Sequence, residues 1–551
     1  MKKNSSEVVE EVQKSLAEEE SVELVDVEIA VPTINNIGRT GNNFSLFNIF
    51  NNCIRYNQIP NVWKFSIVTP LYKNKGSQSD MNNYRGISIL PPISKLFEKL
   101  LAIQIEDYFS KNSIFFDGQH GFRSGFSCET ALHEFISDQN SALNKKLISF
   151  ALFIDFKKAF DLVDPDLLIF KLSCYGFNES SLELIRNYFH NRKQIVKFND
   201  TLSEPLLLKK GVPQGSVLGP VFFLIFINDL PLFLNNSNVK LFADDTTIYI
   251  IDENLDKISE KFNIEMNYLL DWCSFNKMDI NWSKAFYMIF TNKKIILPDK
   301  ITLLNNTIEI FRTNSFKLLG CTIDEKLNFE EHVINICLNV KKKLYSIKRI
   351  FYLSCSVKLQ FFKSFILPYF DYCLSLIIYM NKSIIQKLAN MYYNCLFGLF
   401  GFKITNFNND VFKFNQFLKK YNLTTFHHRL TIRLTTFGYS IDLREKAPQN
   451  LKSIIVKSRQ VPESKYNFIN ERVNTDTKIN DNHGTMTFEY YFGKIVKKFD
   501  VNLSSKTKLN YIKNFLNENC NDFLKVYLKM FPQLNVNIPT NFYFFQSSCK
   551  N

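Results

Sequence analysis

Two β-rich runs close around Asp244-Asp245 in the segment VKLFADDTTIYI, residues 239–250. Such a pattern predicts a hairpin with both carboxylates at its tight turn. Upstream, the run ISFALFIDF (148–156) is an apolar strand that ends on a third acid, Asp155. An acid at the tip of a buried strand is costly unless something neutralises it, and a divalent cation would. If the two strands are neighbours, Asp155, Asp244 and Asp245 converge on one point. Phosphoryl transfer needs such a point, because Mg²⁺ is usually held by one or two carboxylates together with substrate phosphates. Two ions about 3.5–4 Å apart can activate an attacking hydroxyl and stabilise the leaving group. A lone Asp-Asp is ordinarily a solvated turn. That reading must also account for the apolar strands and the acid-tipped strand upstream.

The chain has 551 residues, enough for two to four domains. With 46% hydrophobic and 22% charged residues it reads as globular. Its net charge is +14, and it is unevenly placed: residues 1–30 hold nine acids and three lysines, leaving +20 on the remainder. Excess Lys and Arg among many aromatics is the footprint of a phosphate-backbone binder. An AT-rich coding sequence would enrich Lys, Asn, Ile, Phe and Tyr as well. No two of the eleven cysteines stand as C-x-x-C, so they read as reduced thiols rather than a zinc ribbon or redox motif. The first apolar stretch is broken by Glu and Asp, so the N-terminus does not read as a signal peptide, and a secreted protein is not expected. The most membrane-like run, 217–234, contains Pro220, Asn228, Asp229 and Pro231 and reads as a buried core helix.

Along the chain, residues 1–43 read as an acidic leader, solvated and mostly disordered. Short apolar runs then alternate with helix-length segments to about residue 290, which predicts mixed α/β or α+β layering. FKLLGCTI (316–323) predicts a strand, and KKKLYSIKRIFYL and residues 357–370 predict amphipathic helices. Residues 401–551 are rich in Asn, Lys and Phe and carry no motif.

FIDFKKAFD (153–161), GVPQGSVLGP (211–220) and FADD (242–245) stand in the order and spacing of reverse transcriptases. Upstream lie WKFSIVTPLYKNKG (63–76), NNYRGISILPPISKLFEKLL (82–101) and QHGFRSGFSCETAL (119–132). Downstream lie WCSFNKMDINWSKAFYMIF (272–290), FKLLGCTIDEKLNFEEHV (316–333) and ILPYFDYC (366–373). Each is a weak pattern alone; together and in order they are specific. Over roughly residues 45–375 the chain resembles the polymerase of non-LTR (LINE-type) retrotransposons of the jockey or CR1 kind.

The resemblance implies an α+β right-hand fold of fingers, palm and thumb with an antiparallel palm sheet and a largely helical C-terminal region. The expected divisions are 44–290 for fingers and palm, 291–400 for the end of the palm and the thumb, and 401–551 for a region of unknown role. Asp155 and Asp244 would be the main ligands of two Mg²⁺ ions, with Asp245 beside them and Mn²⁺ as a substitute. Phe160 would pack under the incoming sugar and reject a 2′-hydroxyl. Gln214 and Gly215 would contact the nascent base pair. Lys73 and Arg85 would grip the triphosphate, and Arg123 would touch the template or support the fingers. Lys284 matches the lysine that protonates the leaving pyrophosphate, although the usual Lys-Thr reads Lys284-Ala285 here. Lys341, Lys342, Lys343, Lys348 and Arg349 would grip the template–primer duplex by its phosphates. Taken singly, each of these cations reads equally as a solvated surface charge.

The implied partners are an RNA template, a DNA primer and dNTPs, and no membrane. The implied location is intracellular, in nucleus or cytoplasm. Full elements carry an endonuclease before the polymerase. Polymerase-like sequence begins near residue 45 here, so a separate endonuclease or a full-length element protein is an expected partner. No zinc knuckle or ribonuclease H motif is apparent in 401–551. Two alternatives stay open: a catalytically silent RNA-binding remnant, and a group II intron-type enzyme, whose motif normally reads YADD.

Overall fold

The structure is a computed structural model that describes residues 28–29, 41–303, 308–348, 352–401, 407–443 and 446–460. The acidic leader therefore lies outside the described residues apart from 28–29 and 41–43, as do all of residues 461–551.

The elements run in the order α1 (Gly41–Arg55), β1 (Phe65–Tyr72), β2 (Tyr84–Ile89), α2 (Pro92–Lys111), α3 (Cys128–Asn144), β3 (Ile148–Ile154) and α4 (Ala159–Leu162). Next come α5 (Pro165–Cys174), α6 (Glu179–Phe189), β4 (Lys193–Phe198), β5 (Thr201–Leu202), β6 (Leu206–Leu207) and α7 (Leu218–Ile227). They are followed by β7 (Asn238–Phe242), β8 (Asp245–Asp252), α8 (Leu255–Asn276), β9 (Phe286–Phe290), β10 (Lys300–Leu303), β11 (Ile308–Arg312), β12 (Ser315–Leu318) and β13 (Cys321–Asp324). The remainder is helical: α9 (Glu330–Lys348), α10 (Cys355–Phe361), α11 (Leu367–Asp371), α12 (Lys382–Phe400), α13 (Phe407–Lys420), α14 (Phe426–Leu443) and α15 (Gln449–Gln460).

The chain divides into two compact units. The first comprises the described residues of Met1–Phe122, Leu152–Ile250 and Ile258–Ala285, and the second those of Arg123–Ala151, Ile251–Lys257 and Phe286–Asn551. Helix α3 thus falls in the second unit, inside the span expected to be fingers and palm.

In the first unit, β2, β1, β4 and β5 form a sheet, with β6 also on β4. β1 runs antiparallel to β2 and parallel to β4. The β7–β8 hairpin lies beside residues 152–154 of β3. Every residue of β3 is buried, which is why the strand reads as a continuous apolar run rather than an alternation. α7, LGPVFFLIFI, is apolar all round and accordingly buried, packed against α2 and α5. It ends at Ile227, and a short 3₁₀ turn over Leu230–Phe233 begins at the Asp229-Leu230-Pro231 step.

A buried polar knot fixes these helices. Asp229 takes Lys171 Nζ at 2.8 Å and Trp272 Nε1 at 3.0 Å, and Lys171 also donates to the Phe226 carbonyl at 2.6 Å. Asp229, Lys171 and Trp272 come from three separate elements, so one carboxylate ties the end of α7 to α5 and α8.

In the second unit, β10 pairs antiparallel with β11, β11 parallel with β9, and β12 with β13 as a separate hairpin. The single strand expected over 316–323 is therefore two strands. Leu319 and Gly320, at φ +46° and +85°, turn the chain in the middle of an apolar run. α3 opens with a capping box between Ser127 and Thr130. α12 packs against α9 and α14 around Tyr392 and Tyr393, which are fully buried. Among the described residues no helix is long and apolar enough to cross a membrane.

Candidate active site

The β7–β8 hairpin pairs Phe242 with Asp245, leaving Ala243-Asp244 as a two-residue turn. Ala243 sits at φ +56°, a left-handed conformation that a non-glycine residue adopts only when its surroundings hold it. Those surroundings come from the motif at 118–121. Leu241 donates to the Gly118 carbonyl at 2.8 Å, and His120 N–H donates to the Leu241 carbonyl at 2.8 Å. Gln119 Oε1 accepts the N–H of Gly121 at 2.9 Å and that of Ala243 at 3.0 Å. A side chain on Gly121 would stand 2.3 Å from the Ala243 nitrogen. This glycine is therefore what lets the supporting strand lie against the turn. Neither Gln119 nor Gly121 has a site role expected from the sequence, although both stand in the QHGFRSGF motif.

Asp244 lies in the turn and Asp245 opens β8, one step beyond the expected shared turn. Asp155 follows the last residue of β3. Its carbonyl accepts Asn281 N–H at 2.8 Å, while Lys157 N–H donates to the Asp279 carbonyl at 2.7 Å. That pairing brings Lys284 onto the Asp155 carboxylate as a direct ion pair.

The three acids feel one another's charge. Burial raises the Asp244 carboxyl; its own backbone N–H opposes this, Asp155 adds to it, and Arg85 and Lys284 pull it back. Asp245 keeps an open side toward solvent, yet enough protein surrounds its carboxylate that burial, then Asp244 and Asp155, push it up to about 6. The direction is that of carboxylates crowded together without sufficient counter-charge.

The donor set suits a hard divalent cation: three carboxylates, of which Asp244 and Asp245 are raised by burial first and by neighbouring carboxylate charge second. Asp155 meanwhile borrows the Lys284 ammonium as its counter-charge. Among the described residues no three His, Cys, Asp or Glu side chains form a ready-made metal cage. Mg²⁺ does not require one, since waters and substrate phosphates complete its shell.

The remaining positions in the first unit are linked by backbone contacts. Lys158 at φ +48° swings the chain from Asp155 into α4, which carries Phe160 and Asp161. The Phe160 carbonyl accepts Val212 N–H at 2.9 Å, and a side chain on Gly211 would meet the Asp161 backbone at 2.7 Å. The two motifs are thereby locked together. Gln214 Nε2 donates to Asp161 Oδ1 at 3.2 Å, and its carbonyl accepts Ser88 N–H at 2.7 Å. Gly215, at φ +127°, passes so close that an added Cβ would lie 2.3 Å from the Ser88 oxygen. Ser88 belongs to β2, the strand that also carries Arg85. The Phe160 ring stacks on Phe223 at 4.6 Å and meets Phe122 edge-on at 6.2 Å. Lys73 Nζ donates to the Asn82 carbonyl at 2.9 Å. Its charge reaches Asp161, which burial raises and Gln214, Lys158 and Lys73 pull back down.

The other expected positions lie in the second unit. The Arg123 guanidinium stacks over the Phe126 ring at 4.0 Å. Lys341, Lys342 and Lys343 are consecutive and exposed on α9. The side chain of Lys348 and the whole of Arg349 lie outside the described residues.

Comparison with known proteins follows the same outline. Residues 72–323 match the family described as "Reverse transcriptase (RNA-dependent DNA polymerase)". The chain is 28% identical over 332 residues to the probable RNA-directed DNA polymerase from transposon X-element of Drosophila melanogaster, covering 59% of this chain and 36% of that protein. To the RNA-directed DNA polymerase from mobile element jockey of the same species it is 25% identical over 351 residues, covering 62% and 38%. The chain thus spans little more than a third of the length of these two curated relatives. Among solved structures, telomerase from Candida albicans aligns with a TM-score of 0.36 at 13% identity, over 79% of this chain and 68% of that one.

Proposed function

We propose, from the premise that this chain carries a reverse transcriptase domain of the LINE-type (non-LTR) retrotransposon family with a right-hand polymerase fold, that it extends a DNA primer on an RNA template by two-metal nucleotidyl transfer from dNTPs. The observation that carries this reading is the gathering of Asp155, Asp244, Asp245, Lys284 and the charge of Arg85 at one hairpin tip.

Asp155 and Asp244 would hold two Mg²⁺ ions, or Mn²⁺ in their place, with Asp245 beside them. Bound there, such ions activate the primer 3′-hydroxyl and stabilise the leaving pyrophosphate. The protein's own task is placement and charge. Arg85 and Lys73 take the triphosphate, Arg85 with the planar fork that matches phosphate oxygens. Gln214 and Gly215 set the backbone beside the new base pair, where the lack of a Cβ allows close approach. The Phe160 ring, braced by Phe223 and Phe122, forms a flat floor under the sugar and excludes a 2′-hydroxyl. Lys284 supplies a proton to the departing pyrophosphate once it leaves Asp155. Arg123 and the α9 lysines grip nucleic acid by its phosphates, a contact without sequence preference. Such a protein acts where RNA and chromosomal DNA are both reachable.

The sugar floor gives a specific test. Primer extension on RNA with Mg²⁺ should proceed with dNTPs and be at least about tenfold weaker with rNTPs, roughly 1.4 kcal/mol of discrimination. Phe160→Val should narrow that gap while leaving dNTP extension measurable. An unchanged dNTP/rNTP ratio in Phe160→Val would remove Phe160 from the nucleotide site.

A further inference from the structure

We propose that Glu98 is a positioning residue for the nucleotide site: its buried carboxylate, balanced by Arg192, caps α7 and so holds the 212–217 loop in place against β2. This rests on the reading of Gln214 and Gly215 as nucleotide contacts given above.

Glu98 is 1% exposed, deep in α2 and far in sequence from the loop. Its Oε2 accepts Val217 N–H at 2.7 Å and Leu218 N–H at 3.3 Å, at the N-terminus of α7. Ser216 Oγ accepts Gly219 N–H at 2.9 Å, so three of the helix's leading donors are satisfied locally. The other carboxylate oxygen faces Ser94 Oγ at 3.4 Å and Arg192 at 3.9 Å. Arg192 is 3% exposed and is itself fixed by the Tyr188 carbonyl at 3.1 Å and the Tyr188 ring at 4.2 Å. A negative charge at the start of a helix is favourable, and in a dry interior no water can replace it.

The loop immediately before this cap is tied at two further points. Val212 N–H binds the Phe160 carbonyl, and the Gln214 carbonyl binds Ser88 N–H. Three anchors therefore set six residues: the Phe160 segment at one end, β2 in the middle and Glu98 at the other end. Removing Glu98 strands the part-buried Val217 N–H and the buried Leu218 N–H. The cheapest response is a shift of the loop, which carries Gln214 and Gly215 with it.

The test compares the parent, Glu98→Gln and Glu98→Ala in single-nucleotide extension on an RNA template, with hydrogen exchange over residues 212–218 measured on the same proteins. Glu98→Ala should raise the dNTP KM by about tenfold while kcat stays within about threefold. It should also speed exchange at Val217 and Leu218. Glu98→Gln keeps an acceptor oxygen and should recover most of the KM. A purely structural role would lower the melting temperature and the active fraction with KM unchanged, and that result overturns the proposal. Should Glu98→Ala fail to fold, Glu98→Asp decides, because its shorter side chain keeps the charge but draws the oxygen back from the Val217 and Leu218 N–H groups: a KM raised about threefold or more supports the proposal and a parent-like KM overturns it. Exchange reads the cap without catalysis. If no protein extends a primer, lost protection at Val217 and Leu218 in the variant that breaks the cap, Glu98→Ala or Glu98→Asp, still supports the cap, and unchanged protection there overturns it.

Discussion

Gly215→Ala places a single methyl where the structure leaves no room. An ideal Cβ at this position would stand 2.3 Å from the Ser88 carbonyl oxygen, against the 3.0 Å below which such contacts are essentially never found, so something must move by about 0.7 Å. Ser88 cannot yield cheaply. It is paired with Val68 in the β1–β2 ladder, and its N–H is held by the Gln214 carbonyl at 2.7 Å. Nor can Ala adopt φ +127° without strain, which costs about 1–3 kcal/mol for an L-residue. The loop therefore moves, and the nucleotide must restore it on binding. At about 1.4 kcal/mol per tenfold, that cost becomes a rise of roughly 5- to 150-fold in the dNTP KM. The assay is single-nucleotide extension across a dNTP titration, beside a thermal melt. Gly401→Ala is the control: Gly401 also has positive φ, at +72°, but an added Cβ meets nothing within 4 Å. It should cost some stability and leave KM alone. A parent-like KM in Gly215→Ala would refute the claim that this backbone borders the nucleotide.

Two further substitutions probe the buried charges of the first unit. Asp229→Ala leaves Lys171 without its carboxylate and Trp272 Nε1 without its acceptor, and should lower the unfolding free energy by about 3–5 kcal/mol in urea titration; a loss under about 1 kcal/mol would contradict the buried-pair reading. Lys64 is 2% exposed; burial, then the nearby Arg192, lower its ammonium from 10.5 to about 8. The folded state therefore binds fewer protons than the unfolded chain between about pH 8 and 10.5, and the destabilisation is complete below pH 8 and fades as pH rises. Lys64→Met should gain most over the parent near pH 7 and least near pH 10, by urea midpoints; a pH-independent difference would refute this.

Much of the site was legible because its elements are local. β3 is a continuous apolar run with an acid at its end, and the β7–β8 pair is two such runs around a turn. Each can be recognised without knowing its neighbours. The β12–β13 hairpin was not legible as two strands, because Leu319-Gly320 turns inside a run whose composition does not change. Residues whose role is set by a distant partner left no local signal. Glu98 acts 119 residues away on Val217, and Gln119 acts 124 residues away on Ala243. In sequence the first resembles a solvated acid on an amphipathic helix and the second a polar loop residue. Gly121 and Gly211 carried a partial signal as glycines within motifs. What they accommodate, a hairpin turn and the Asp161 backbone, is visible only once the strands are side by side. Asp161 was in view within FIDFKKAFD, yet its bond to Gln214 joins two motifs that sequence order keeps apart.

The most direct measurement is primer extension on an RNA template with Mg²⁺ and dNTPs, comparing the purified chain with Asp244→Asn. Asn preserves the shape of the turn and removes one charge from the carboxylate cluster. Extension by the parent and a loss of at least about 100-fold in the variant are expected, since a metal ligand contributes several kcal/mol to the transition state. Equal extension by both proteins, or none by a parent that is folded and binds RNA, would contradict the proposed function.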